Sequence, residues 1–269
     1  MPNLELTIKS TKKFQSLLLE LAQTMGFMIK ILSENRIYQI INEVTGKSIF
    51  LYNADLGMNS SSSLLAAKDK AATYGLMSHY GVPTIEHIQI DTGPDSDYIS
   101  ECTKYLQDWG KLVLKDNEGT QGRNVFLVED QESLLIHLDV LKKRGKRICV
   151  SRFYDAELET RCIVYNGEVR IAFSKLRTNS WKHNLSQGAM PIPIQLNSPE
   201  SAEIQHIAVS AAAAIGMQFC SIDIMETSCG PKVLEVNGTV LMNHYTKYSE
   251  AHKNQSLDLY REIFSDILE

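Results

Sequence analysis

Three oxygen-bearing side chains in the last fifth of the sequence, Asp223, Glu235 and Asn237, have types and spacing suited to a hard cation. Glu235 and Asn237 lie two apart in Leu234-Glu235-Val236-Asn237, a strand-like run, so they project from one face. Asp223 lies in Ser221-Ile222-Asp223-Ile224, a second strand pattern, with the turn Ser228-Cys229-Gly230-Pro231 between the two. An antiparallel hairpin would bring the three side chains together. Two carboxylates buried side by side are costly unless a cation neutralises them. Mg²⁺ takes oxygen ligands and fills its remaining positions with water and phosphate. The same residues would also serve as two unrelated exposed strand residues and an Asn at a strand end.

A second feature is Lys115, at the end of a strand pattern and ahead of Glu118-Gly119-Thr120-Gln121-Gly122. Backbone N–H groups of such a loop can close over phosphates, and Lys115 would add a point charge. The Walker order G-x-x-x-x-G-K-[ST] is absent, and taken alone the segment reads as an ordinary hairpin turn. The histidines lack metalloprotease spacing, so zinc is not indicated. His244 beside Asn243 and His183 beside Asn184 are candidates for a substrate carboxylate or a base, with His183 better read as a surface or packing residue. No serine has a G-x-S-x-G setting; the run Ser60 to Ser63 reads as linker.

Lys115 with Glu118 to Gly122, Glu159-Thr160-Arg161, Asn184-Leu185, Ile222-Asp223-Ile224 and Leu234 to Asn237 occur in one order along the chain. That order and spacing resembles the ATP-grasp fold, most of all its RimK-type branch of amino-acid ligases, from about Leu64 to Tyr245. The resemblance implies an α+β fold: two α+β lobes clasping ATP, preceded by a short α/β N-terminal lobe. It implies Lys70 and Lys115 near the nucleotide phosphates, with Glu118, Gly119, Thr120, Gln121 and Gly122 as a mobile cover. Arg152, Phe153 and Tyr154 would belong to the linker that reads adenine. Glu159 and Arg161 would border the nucleotide and the transferred phosphoryl group. Lys175 or Arg177, and Asn184, would face the reacting carboxylate, and Asp223, Glu235 and Asn237 match the magnesium ligands. The implied cofactors are ATP and Mg²⁺, with Mn²⁺ as a substitute ion.

The activity implied is that of an ADP-forming carboxylate–amine ligase acting through an acylphosphate on an amino acid or short peptide. An ATP-grasp phosphotransferase and a nucleotide-binding regulatory protein without turnover are the alternatives. The sequence departs from the family pattern at three places. Ser151-Arg152 stands where an acidic pair is common, Lys175 and Arg177 stand where two arginines are common, and Gly238 to His244 lacks the usual Pro-Gly.

Elements that would position these residues follow from periodicity and turn chemistry. Phe14, Leu17, Leu18, Leu21 and Met25 recur at helical spacing, with Gly26 as the stop. Strands are expected at Phe27 to Ile31, Ile37 to Ile41 and Ser48 to Tyr52, and one helix at Leu64 to Tyr80, ended by Gly81 and Pro83. Strand and helix patterns then alternate to Tyr154, and Asn166-Gly167 marks a hairpin. Ser198-Pro199 opens a helix that runs to Gly216. An amphipathic helix through Leu257, Tyr260, Ile263, Phe264 and Ile267 closes the chain. Several hairpins among helices disfavour a doubly wound sheet. The domain boundaries expected are 1–63 for the N-terminal lobe, 64–154 for the connecting helix and small ATP-grasp lobe, and 155–269 for the large lobe with the metal site.

Composition narrows the partners. Of 269 residues, 43% are hydrophobic and 22% charged, with a net charge of −5, which suits a soluble globular protein. No basic stripe invites nucleic acid, and no apolar run approaches the roughly 18 residues of a membrane span. Five cysteines without a C-x-x-C pair, and no signal peptide, fit free thiols in a reducing cytoplasm. Small acid and amine substrates are the expected partners, and a homo-oligomer is compatible with them.

Overall fold

The computed structural model describes residues 13–33, 36–120, 122–177, 181 and 189–269. Along the chain come α1 (Lys13–Thr24), β1 (Met28–Ser33), β2 (Ile37–Ile41), β3 (Ser48–Tyr52), α2 (Ser61–Lys68), α3 (Lys70–His79) and β4 (His87–Gln89). Then follow α4 (Tyr98–Trp109), β5 (Leu112–Asp116), β6 (Val125–Val128), α5 (Gln131–Lys143), β7 (Ile148–Arg152), β8 (Leu158–Tyr165) and β9 (Glu168–Leu176). The rest is β10 (Met190–Pro193), α6 (Pro199–Ile215), β11 (Phe219–Thr227), β12 (Gly230–Asn237), a 3₁₀ turn (Tyr245–Lys247) and α7 (Glu250–Leu268). Two compact units emerge, one drawn from 1–58 and 239–269, the other from 59–238.

In the first unit, β1, β2 and β3 form an antiparallel sheet in that order. Tyr38, Ile40, Ile49 and Leu51 alternate onto its buried face. Phe14 of α1 meets Tyr260 of α7 edge to face, centroids 5.4 Å apart, and the Tyr260 hydroxyl donates to the Val240 carbonyl at 3.1 Å. That buried hydroxyl is thereby satisfied.

The second unit holds two antiparallel sheets, ordered β4-β7-β5-β6 and β10-β9-β8-β11-β12. Each is apolar on one face. Leu112, Leu114, Val128, Ile148 and Val150 of the smaller sheet pack with Cys102, Leu106, Leu134, Leu138 and Leu141 of α4 and α5. Cys162, Val164, Ala172, Cys220, Ile222, Ile224 and Val236 of the larger sheet pack with Ile207, Ala208, Ala211, Ala212 and Ile215 of α6. The opposite faces carry the ionisable residues, because side chains alternate along each strand. Asn166 and Gly167, at φ 49° and 76°, make the β8–β9 turn as their sequence requires.

Two local expectations are corrected. The helix expected over Leu64 to Tyr80 is two helices broken at Asp69, whose backbone is extended (φ −92°, ψ 105°) and whose carboxylate caps α3 by accepting from Ala72 N–H at 2.9 Å. Ser60 to Ser63, expected as linker, is the N-cap and first turn of α2, with Ser60 Oγ accepting from Ser63 N–H at 3.1 Å. The preceding Asn59 is anchored too. Its amide nitrogen donates to the Phe219 and Gly238 carbonyls at 2.6 and 3.2 Å, and its oxygen accepts from Gln218 and Phe219 N–H at 3.0 and 3.1 Å. The edge strand β10 has no strand signature in the sequence, because Pro191 and Pro193 break the pattern; proline within sheets is confined to such edges, first positions and bulges. Among the described residues no helix is long and apolar enough to cross a membrane.

Candidate active site

The polar face of the larger sheet is built by register. Asp223 on β11 pairs with Arg161 on β8 and with Glu235 on β12, while Glu159 on β8 pairs with Lys175 on β9. Directly opposed residues point to the same face, so these five side chains meet. A bulge at Leu234 matters here: Asp223 pairs with Glu235, yet Ile224 pairs with Val233. The extra residue lets Val233 and Val236, of opposite parity, both reach the core, while Glu235 and Asn237 stay on the charged face.

Asp223, 3% exposed, is the centre of this face. Its Oδ1 accepts from Arg161 Nε at 2.7 Å and its Oδ2 from Arg161 Nη2 at 2.5 Å, a fork–fork pair. Lys175 Nζ donates to Asp223 Oδ1 at 3.0 Å and to Glu159 Oε1. Asn237 Nδ2 reaches Asp223 Oδ2 at 3.5 Å. Burial pushes the Asp223 carboxyl up, but Arg161 and Lys175 outweigh it and hold the group well below the usual carboxylate range. Glu235 differs. Burial raises its carboxyl and neighbouring Asp223 adds to that, while Lys70 only partly offsets both; the Lys70 Nζ to Glu235 Oε1 distance is 3.7 Å.

The polar face of the smaller sheet supplies Lys115, buried on β5. Lys115 Nζ donates to Nε2 of His87 on β4 at 2.8 Å, and His87 Nδ1 lies 2.8 Å from the Ile85 carbonyl. Burial lowers the Lys115 ammonium to about 8, with Lys70 adding to the effect. Burial, then Lys115, likewise holds the His87 imidazole well below its ordinary value, hence neutral. No motif contains His87, and the register of two strand pairs is what carries it to Lys115, so nothing in the local sequence marks it.

Lys70, the first residue of α3, donates from Nζ to the Asn117 and Gly119 carbonyls at 3.3 and 2.7 Å. It therefore joins the glycine loop to Glu235. Gly119 packs so closely that an added Cβ would stand 2.9 Å from Asp116 Cβ and 3.1 Å from the Asp116 carbonyl oxygen. Gly122 takes φ 66°, and Thr120 is exposed. Glu118 is turned to Arg147, whose Nη1 donates to it at 2.6 Å.

In the linker, Arg152 stands over the Tyr154 ring at 5.8 Å, Lys232 Nζ lies 5.7 Å from the same ring, and Phe153 meets Trp181 edge to face at 6.0 Å. Arg177 Nη1 donates to Asp155 Oδ1 at 2.6 Å. Gln121, His183 and Asn184 lie outside the described residues. Glu159, Arg161, Lys175, Asp223 and Asn237 thus form one set of contacts, Glu235, Lys70 and the Gly119 carbonyl a second, and the register pair Asp223–Glu235 sets the two side by side.

Among the described residues no three His, Cys, Asp or Glu side chains gather as metal ligands; the expected trio contains only two carboxylates and an amide. As donors they are nonetheless hard oxygens on one face, and Glu235, raised by burial and weakly paired, is the one a cation would relieve. The trio fits Mg²⁺ chemically, with Asp223 sharing oxygens already bonded to Arg161 and Lys175.

The model of the RimK-like ATP-grasp domain matches residues 67–259. A Legionella pneumophila protein named probable alpha-L-glutamate ligase is 27% identical over 200 residues, covering 72% of this chain and 64% of the relative. A protein of the same name from Thioalkalivibrio sulfidiphilus is 30% identical over 185 residues, covering 68% and 59%. The chain thus spans less than two thirds of the length of these curated relatives. The crystal structure of D-alanine–D-alanine ligase from Bacillus anthracis complexed with ATP superposes with a TM-score of 0.59 at 18% identity, over 76% of this chain and 68% of that one. The mixed sheets and helices described above are the ATP-grasp fold, and the chain belongs to the RimK-like ATP-grasp family.

Proposed function

We propose that this protein is an ADP-forming carboxylate–amine ligase. The observation that carries the proposal is the cation set Lys70, Lys115, Arg161 and Lys175 held around the carboxylates Glu159, Asp223 and Glu235 in an ATP-grasp fold. In phosphoryl transfer, charge spread over the moving group is what needs stabilising, and fixed cations do so without reorganising. Lys115 and Lys70 would hold phosphate oxygens, Arg161 would bridge Asp223 and the transferred group, and Arg177 with Asn184 would face the acid. Lys175, locked between Glu159 and Asp223, would act by setting that pair in place. Mg²⁺, held by Asp223, Glu235 and Asn237, would neutralise phosphate charge when bound.

The chemistry is two displacements. A carboxylate oxygen of the acid attacks the γ-phosphorus, the bond to the β,γ-bridging oxygen breaks, and ADP leaves. The amine nitrogen then attacks the acyl carbon, phosphate leaves, and the amine gives up a proton. Closure of the loop at Gly119 to Gly122 would keep water from the acylphosphate. An amino acid or short peptide is the substrate class proposed, and the relatives' name makes glutamate the first amine and acid to try, in a cytoplasmic setting.

The test is interception. With the right acid, ATP and Mg²⁺ but no amine, hydroxylamine should yield a hydroxamate together with ADP. A stable phosphoester would mean a phosphotransferase, AMP would mean adenylation, and ATP binding without any product across an acid and amine screen would mean a binding protein.

A further inference from the structure

Buried lysines are normally answered by carboxylates, yet the hydrogen-bond acceptor the structure gives Lys115 is a histidine ring. The two side chains are 5% and 4% exposed, so neither exchanges its partner for bulk water. His87 Nδ1 is 2.8 Å from the Ile85 carbonyl, which accepts only, so the ring proton sits on Nδ1 and the Nε2 lone pair faces Lys115. Ile85 is itself fixed: its N–H donates to the Val233 carbonyl at 2.9 Å, and Val233 N–H donates to the Pro83 carbonyl at 2.9 Å. Val233 belongs to β12, the strand that carries Glu235 and Asn237. A chain of short contacts therefore runs from the lysine to that strand.

We infer that His87 is a positioning residue for nucleotide binding, a neutral acceptor that anchors one of the three ammonium donors of Lys115 and leaves the other two for phosphate oxygens. This rests on the nucleotide-site reading of Lys115. A carboxylate in the same place would neutralise the ammonium and weaken its hold on an anion; a neutral imidazole orients it and leaves the charge available. The charged and titratable groups around Lys115 are Cys149 from β7, Lys70 from α3, Glu235 from β12 and Glu159 from β8, with Lys70 also acting on His87. Loss of the acceptor makes the ammonium easier to deprotonate, which fits a lysine already lowered to about 8 by burial.

The test compares His87→Leu with His87→Gln, whose amide oxygen can take the place of Nε2. Calorimetry with ATP and Mg²⁺ should show His87→Leu weaker by about tenfold or more, as for a lost hydrogen bond to a charged group, and His87→Gln close to the wild type. The alkaline limb of ATP binding should move to lower pH in His87→Leu and stay in place in His87→Gln. Wild-type affinity in His87→Leu, or equal weakening in both variants, would overturn the inference alone. Failure of the wild type to bind ATP would overturn the nucleotide-site reading and the inference with it. If His87→Leu does not fold, ¹⁵N shifts of the wild-type imidazole decide: a neutral ring protonated on Nδ1 at pH 7 supports the inference, and an imidazolium or an Nε2-protonated ring overturns it.

Discussion

Arg161 grips both oxygens of Asp223 from the neighbouring strand, at 2.7 and 2.5 Å, and the two residues are register partners across β8 and β11. The contact is made by the sheet itself, so it needs no ligand to form. Arg161 thus has two duties, one to Asp223 and one proposed toward the transferred phosphoryl group, and substitutions can separate them. Arg161→Lys keeps the charge but loses the fork. It should leave the melting temperature within a few degrees, since Lys175 still serves Asp223, and lower kcat by about 10²-fold, the usual loss for one transition-state donor. Arg161→Met should also lower the melting temperature, because a buried carboxylate loses its main partner. Calorimetric melting and steady-state ADP release measure the two effects. Equal kcat in wild type and Arg161→Lys would remove the arginine from the chemistry.

Lys115 gives a pH signature of known sign. Its folded-state value is lowered by burial from the usual 10.5 to about 8, so between those values the unfolded chain binds more protons than the folded one. Stability of the ligand-free protein should therefore rise with pH across that window. ATP affinity should do the reverse, falling as the ammonium that holds phosphate is lost above about pH 8. Lys115→Met should flatten both slopes. Melting curves and ATP titrations from pH 7 to pH 10 test this, and parallel slopes in the wild type would contradict it.

Much of this site was legible in the sequence because its motifs are local. Asp223, Glu235 and Asn237 follow from two strand patterns and a turn; the face shared by Glu235 and Asn237 needs only the period of a strand, while Asp223 joins them through the bulge at Leu234, which no sequence pattern marks. What the sequence could not supply was which charges answer which. Burial of the carboxylates pointed to a metal, whereas the structure shows Arg161 and Lys175 already neutralising Asp223. Lys175 came into view as a substrate-facing cation, and its burial between Glu159 and Asp223 is a long-range result of strand order. The break at Asp69 was hidden because Leu64 to Tyr80 has no proline and its one glycine, Gly75, lies inside the second helix; the capping contact to Ala72 shows why the chain turns there. His87 was hidden for the same kind of reason, since its partner lies 28 residues away in sequence.

Gly119 tests the glycine loop without touching a charge. A Cβ there would meet Asp116 Cβ at 2.9 Å and its carbonyl oxygen at 3.1 Å, backbone and near-backbone atoms that cannot swing aside. Lys70 Nζ rests on the Gly119 carbonyl, so displacement of the loop would move that lysine as well. Gly119→Ala should keep the fold, cost about 1–3 kcal/mol as overpacking does, and weaken ATP binding several-fold. Thermal melting with and without ATP would check it. An unchanged ATP-induced shift in melting temperature would mean that the loop does not contact the nucleotide.

The two carboxylates proposed for Mg²⁺ should part company when each is made an amide. Asp223 is bonded to Arg161 and Lys175 in the ligand-free protein, so Asp223→Asn removes the charge that answers two cations and turns one of its two acceptor oxygens into a donor that faces them. It should destabilise the apoprotein by about 3–5 kcal/mol, the usual result of breaking a buried pair from one side. Glu235 has the longer contact to Lys70, at 3.7 Å, and burial raises its carboxyl. Glu235→Gln removes a charge the apoprotein holds at a cost, so its melting temperature should hold steady or rise. Both variants should lose Mg²⁺-dependent ATP turnover if both are ligands. Melting without ligand, followed by ADP release against a magnesium titration, separates the two duties. If Glu235→Gln keeps its turnover at limiting magnesium, Glu235 is not a ligand, and Lys70 is then the partner that explains its place on β12.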